Sequence, residues 1–351
     1  MIHKSPFLSD ALSAILPTLD QTMLLRACLW TGEASREAWM NWQNDVFDAK
    51  QVFKENKKIK ELLPLLYHAL EQNKADVSES LRPYLRTAYV HEELRSRTYR
   101  HILKETISTL INSGIPFLLL EGASLAESIY GNWALRHCND INLLLRKADL
   151  LQAMNVLSTQ RNFHVSGARR NSEANHFILK HTSGLPVHLS HLLFEDSYHY
   201  LSDEIWKHAE QITMDGIAIS ILCTSDCLIN ILGRAFFSAS NSWQWICDAY
   251  YLFLKRGAQL NWDFLFQRII ENHLVLPFWV MFNYLATELK GEIPSFFLQR
   301  LANVKTTKED CKEALLKASA SSRGFKKLFK HTKNLRERIF LSRMLIQKIM
   351  N

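Results

Sequence analysis

The stretch from Ile115 to Leu145, IPFLLLEGASLAESIYGNWALRHCNDINLLL, limits the possible folds more than any other part of the chain. It opens with an unbroken apolar run, Phe117-Leu118-Leu119-Leu120, of a length suited to a buried strand. The run ends at Gly122, and Ala123 to Tyr130 then takes up helical spacing. A second apolar run, Ile141 to Leu145, is entered through Asp140 and carries Asn142 two residues on. Residues i and i+2 of a strand face the same side, so Asp140 and Asn142 point together at whatever lies in front of Gly122. An acid and an amide set before a glycine bend suit a metal ion and phosphate.

The rest of the chain reads as an ordered globular protein. Its 351 residues are 47% hydrophobic, with nine Trp and 19 Phe, which is enough for a sizeable core and argues against disorder. The six cysteines (Cys28, Cys138, Cys223, Cys227, Cys247 and Cys311) show no paired zinc spacing and read as free thiols of a reducing compartment. No stretch reaches the ~18 uninterrupted apolar residues of a membrane span. The opening MIHKSPFLSDAL lacks the basic region and long apolar run of a secretory signal. The expected location is cytoplasmic.

Taken in order, the first hundred residues have helical periodicity: Leu24, Leu25, Cys28 and Leu29; then Ala38, Trp39, Trp42 and Val46; then Ile59, Leu62, Leu63, Leu66 and Leu70, where Pro64 predicts a kink or a fresh start. Asp76-Val77-Ser78-Glu79 reads as the start of a long helix that Gly114 ends. After the central stretch come a helix over Leu150 to Leu157, a short strand at Phe163 to Val165, and two strands, His176 to Lys180 and Leu185 to Leu192, joined by Thr182-Ser183-Gly184. On the last strand His188 shares a face with Ser190, and His191 faces away. Packed beside the Asp140 strand, His188 would come near Asp140, and a set of Asp140, His188 and His191 would suit Zn²⁺ or Mn²⁺. The plainer reading leaves His176, His181, His188 and His191 as surface or hydrogen-bonded side chains.

From Ile217 the pattern returns to helices, with Thr224-Ser225-Asp226 as a cap for Cys227 to Phe237, then helices opening at Trp243, at Asn261-Trp262-Asp263 and at Phe278. The last segment, 305–351, is different. Lys326, Lys327, Lys330, Lys333, Arg336 and Arg338 alternate with Leu328, Phe329, Leu335 and Ile339, a basic amphipathic tail that contributes much of the +7 net charge. Such a tail attracts an acidic partner, or lies on its own protein with its lysines solvated. Ala318 to Ser322 is the best linker candidate. The chain has no P-loop, no dinucleotide-binding glycine fingerprint and no Gly-x-Ser-x-Gly elbow.

The stretch from Ile115 to Phe163 resembles the uncharacterised nucleotidyltransferase family, a branch of the polymerase-β-like nucleotidyltransferase superfamily. The likeness is carried by Gly122-Ala123-Ser124 after a strand, by Leu125-Ala126-Glu127-Ser128-Ile129-Tyr130-Gly131, by Arg136 ahead of the Asp140 strand, and by the Arg146-Lys147-Ala148-Asp149 turn. It continues more weakly from about Leu24 to Pro294. The resemblance implies an α+β fold: a small mixed sheet of nucleotidyltransferase type flanked by helices, within a helical N-terminal domain (1–113), a nucleotidyltransferase-like core (114–222), a helical C-terminal domain (223–304) and the tail. It also implies that Gly122, Ala123 and Ser124 hold a triphosphate through backbone amides, that Arg136 steadies developing negative charge, and that three acids hold Mg²⁺ or Mn²⁺. Asp140 fits the first acid, Asn142 replaces the second, and His188 stands where the third is expected. Glu121, where relatives usually carry Lys, adds an acid beside the phosphate turn; it or His188 would supply the missing ligand or act as base.

Two functions follow. One is metal-dependent transfer of a nucleoside monophosphate from an NTP to a hydroxyl or phosphate of a small-molecule or peptide acceptor, with release of pyrophosphate. The other is a catalytically inactive accessory protein of the same fold that binds a nucleotide or a protein partner.

Overall fold

The computed structural model describes residues 16–46, 48–166, 176–194, 202–237 and 242–305. Among them are thirteen α-helices and one seven-stranded mixed sheet, an α+β architecture with helices at both ends. The basic tail from 306 onward, with the expected linker and Cys311, lies outside the described residues.

Five helices come first: α1 (Leu19–Leu29), α2 (Gly32–Asp45), α3 (Ala49–Glu55), α4 (Lys57–Gln72) and α5 (Arg82–Asn112). A capping box between Thr18 and Gln21 starts α1, and the Asn56 side chain accepts from the Lys58 amide to start α4. Pro64 neither breaks nor restarts α4, which runs unbroken through it. Leu62, Leu63, Leu65 and Leu66 are buried around it, and that packing offsets the lost backbone hydrogen bond. The start expected at Asp76 is corrected to Arg82. The Asp76 carbonyl accepts from the Trp39 indole at 2.9 Å, which ties that segment down as a loop, and Pro83 falls in the first turn, where it needs no amide partner.

The sheet holds β1 (Phe117–Leu119), β2 (Ile141–Leu145), β3 (Phe163–Val165), β4 (His176–His181), β5 (Pro186–Ser190), β6 (Glu210–Met214) and β7 (Ile217–Ile221), in the order β3-β4-β5-β2-β1-β7-β6. β1 runs antiparallel to β2 and parallel to β7, while β2 runs parallel to β5 with Asn142 level with His188. The helical pattern expected from Ile217 gives way to the β6–β7 hairpin. Its turn is Asp215-Gly216, both at positive φ (48° and 81°), the two-residue turn that Asp-Gly favours.

The apolar runs of β1 and β2 divide between two cores, as period-2 alternation requires. Leu118, Leu120 and Leu144 pack with the N-terminal and C-terminal helices. Leu119, Leu143 and Leu145 pack with the second half of α5 and with α7 (Leu150–Ser158). Between β1 and β2 lie the short α6 (Glu121–Leu125), where a helix was expected from Ala123, and a π-helical turn, Ala126–Tyr130. The remaining helices are α8 (Ser202–Lys207), α9 (Thr224–Phe237), α10 (Gln244–Arg256), α11 (Trp262–Glu271), α12 (Val275–Leu289) and α13 (Ser295–Asn303). Thr224 and Asp226 lie inside α9, not ahead of it, and α12 begins three residues before Phe278 because Pro277 fits its first turn. No helix of the described residues is long and apolar enough to cross a membrane.

Candidate functional site

Alternation along β2 puts Asp140 and Asn142 on the face shared with Leu144, and on β5 it sets His188 between the oppositely directed Val187 and Leu189. The three residues therefore share one side of the sheet. His188 Nε2 lies 3.7 Å from Asp140 Oδ2, and its Nδ1 meets His176 Nε2 at 3.1 Å with the two rings stacked. Among the described residues no group of three or more His, Cys, Asp and Glu is placed to hold a metal ion. His191, just past the end of β5, is not part of such a set.

The bend itself is held from behind. Glu121 adopts a left-handed backbone (φ 52°), and the Ser124 hydroxyl donates to its carbonyl at 2.9 Å. Ala123 and Ser124 are buried, leaving Gly122 to face the site. A Cβ on Gly122 would lie 3.0 Å from Cys138 Sγ and 3.3 Å from Arg136 Nη1. Arg136 is bound on all sides: Nε and Nη2 donate to the two Asp248 oxygens at 2.8 and 2.9 Å, and Nη1 donates to Gln244 Oε1 at 2.8 Å and to the His137 carbonyl. Tyr130 donates its hydroxyl to the same Asp248. Burial alone would lower the affinity of Arg136 for its proton, but Asp248 more than reverses this and holds it charged. Burial pushes the Cys138 thiol up to about 12, so it stays protonated at neutral pH.

The loop from Arg136 to Asp140 is clamped by α5. Arg95 donates to the Cys138 carbonyl at 2.7 Å, and Tyr99 donates to the Asp140 carbonyl at 2.9 Å. The buried Glu92 takes both Arg95 and His137; burial acts to raise its pKa, but hydrogen bonds and charge from those two partners hold it below the usual range.

Glu121 faces Asn142 across the site, with the Asn142 amide 3.5 Å from its Oε2. Its other oxygen lies 2.6 Å from Nε of Arg234 on α9. Burial, with Asp140 and Asp248 nearby, pushes the Glu121 carboxyl up to about 7 against the opposing pull of Arg234 and Arg136. Glu121, Gly122, Arg136, Asp140, Arg234 and Asp248 line a single pocket of about 890 Å³, which extends to Lys57 and Lys58 at the start of α4 and to Trp243. That volume lies within the roughly 300–1,000 Å³ of small-molecule sites.

Of the residues expected at the site, Glu121, Gly122, Arg136 and Asp140 line this pocket, whereas Ala123, Ser124, Asn142 and His188 are not among its lining residues. Arg234 and Asn230, on α9, were missed. The available signal was a pair of polar residues, four apart, beside the apolar stripe of Leu228, Ile231, Leu232 and Ala235.

No curated protein matches the chain. The family described as uncharacterised nucleotidyltransferase matches it over residues 58–289, which takes in α4, the whole sheet and the helices through α12. Because this match spans well over half of the sequence, the chain belongs to the uncharacterised nucleotidyltransferase family.

Proposed function

We propose that the pocket in front of Gly122 binds a nucleoside triphosphate with Mg²⁺ or Mn²⁺ and transfers its nucleoside monophosphate to a hydroxyl or phosphate of a small-molecule or peptide acceptor. The supporting observation is that Glu121, Gly122 and Asp140, from two adjoining strand ends, open onto the same cavity. The donor chemistry fits one ion. Mg²⁺ takes one or two carboxylates and completes its shell with substrate phosphates and water; the Asp140 carboxylate, 31% exposed, suits that mode, with Asn142, whose amide nitrogen meets Glu121, on the same face of the sheet. Bound there, the ion would neutralise charge on the phosphates.

The residues of the chain supply the rest. Gly122, the residue of the bend that faces the pocket, lets the phosphates approach the backbone, and Arg136, fixed by Asp248, lies beside them. The acceptor oxygen bonds to the α-phosphorus while the bond to the bridging oxygen breaks, and pyrophosphate leaves with that electron pair. The acceptor's proton passes to Glu121 or His188.

A second reading, an inactive accessory protein that binds a nucleotide, is favoured by one feature. Asn142 is neutral and Glu121 is paired with Arg234, which leaves the site short of anionic ligands. The two readings separate in one experiment. Nucleotides with Mg²⁺ or Mn²⁺ should raise the melting temperature, Asp140→Ala should abolish the rise, and mass spectrometry of acceptors incubated with the four NTPs should find an added nucleotidyl mass. Stabilisation without any added mass selects the accessory protein; no stabilisation with any nucleotide removes both readings.

A further inference from the structure

Asn230 is 1% exposed, and its amide oxygen has no hydrogen-bond donor, yet the residue lines the pocket. Three other asparagines, Asn73, Asn272 and Asn283, donate their amide nitrogens to a carbonyl four residues back, of Ala69, Arg268 and Trp279. Asn230 does not. A buried amide oxygen without a donor is a cost to folding, and here it is borne at the wall of a cavity, one helical turn before Arg234, the residue paired with Glu121 at the phosphate bend.

We infer that Asn230 is a specificity-determining residue that accepts a hydrogen bond from a sugar hydroxyl of a bound ribonucleotide, with Arg234 one turn further along α9 beside the phosphates. The inference rests on the nucleotide reading of the pocket. An acceptor oxygen repels phosphate, so its partner must carry a donor. A hydroxyl both donates and accepts, so it satisfies the Asn230 amide in either orientation. Residues four apart on a helix lie about 5–6 Å apart, and in a nucleotide the sugar is the group that follows directly from the α-phosphate. A site built to bond a hydroxyl discriminates strongly against an analogue that lacks it, because the amide is then left unpaired.

The test is calorimetric titration of the full chain, in Mg²⁺, with the four NTPs and their 2′-deoxy and 3′-deoxy counterparts. The wild type should bind at least one NTP about tenfold more tightly than one of its deoxy forms. Asn230→Leu should bind both forms alike, with an unliganded melting temperature no lower than that of the wild type, since the substitution removes an unsatisfied polar group. Equal binding of ribose and deoxy forms by the wild type overturns the proposal and leaves the nucleotide reading intact. So does a preference that survives in Asn230→Leu, or a variant that melts several degrees lower. If the wild type binds none of the NTPs, the nucleotide reading fails and this inference fails with it.

Discussion

Arg136 and Asp248 meet through two hydrogen bonds, at 2.8 and 2.9 Å, that join the loop before β2 to helix α10 across more than a hundred residues of sequence. Both side chains are almost fully covered, at 11% and 4% exposure. Removing one partner leaves the other as an uncompensated buried charge, so Asp248→Ala should destabilise the protein by about 3–5 kcal/mol. Chemical denaturation checks this. Replacing both residues together, as Arg136→Met with Asp248→Leu, should cost less than Asp248→Ala alone.

The Glu121 carboxyl gives stability a pH dependence of unusual sign. Its pKa is raised from the ordinary 4.5 to about 7, chiefly by burial. Between those values the folded chain holds a proton that the unfolded chain has lost, so stability falls as pH rises from about 4.5 to 7 and then levels off. The contribution is on the order of 3 kcal/mol. Denaturation at pH 5 and pH 7.5 should show a smaller difference for Glu121→Gln than for the wild type.

Asn142→Asp puts a second acid at the strand position next to Asp140. In the unliganded protein it faces Glu121 at the 3.5 Å contact, and like charges there should lower the melting temperature at pH 8. Millimolar Mn²⁺ should recover that loss and raise the variant above its metal-free value by more than it raises the wild type. Thermal melts with and without the metal decide it.

Gly122→Ala places a methyl 3.0 Å from Cys138 Sγ and 3.3 Å from Arg136 Nη1. Neither neighbour yields freely, since Cys138 is buried and Arg136 is held by Asp248 and Gln244. Overpacking of this kind costs about 1–3 kcal/mol, and the displaced guanidinium should weaken nucleotide stabilisation in thermal melts as well.

Period-2 arithmetic was enough to pair Asp140 with Asn142 and His188 with Ser190, but bringing His188 to the Asp140 face depends on the pairing of β5 with β2, which the sequence left open. The glycine bend was plain. The β6–β7 hairpin was missed: Glu210 to Met214 has weak alternation, and its clearest signal was the Asp215-Gly216 pair. Arg234 and Asn230 could not be placed from sequence, since only the packing of α9 against α6 brings them to a bend about a hundred residues earlier. At Pro64 the fresh start does not occur, because the burial around it outweighs local propensity.

The left-handed backbone at Glu121 has a last consequence. A side chain there costs on the order of 1–2 kcal/mol that glycine would not, so the position is occupied for what its carboxylate reaches. That carboxylate anchors Arg234 and touches Asn142, and so ties the rim of the cavity to α9. Exchanging it for glycine would relax the chain locally and remove that tie between the bend and α9.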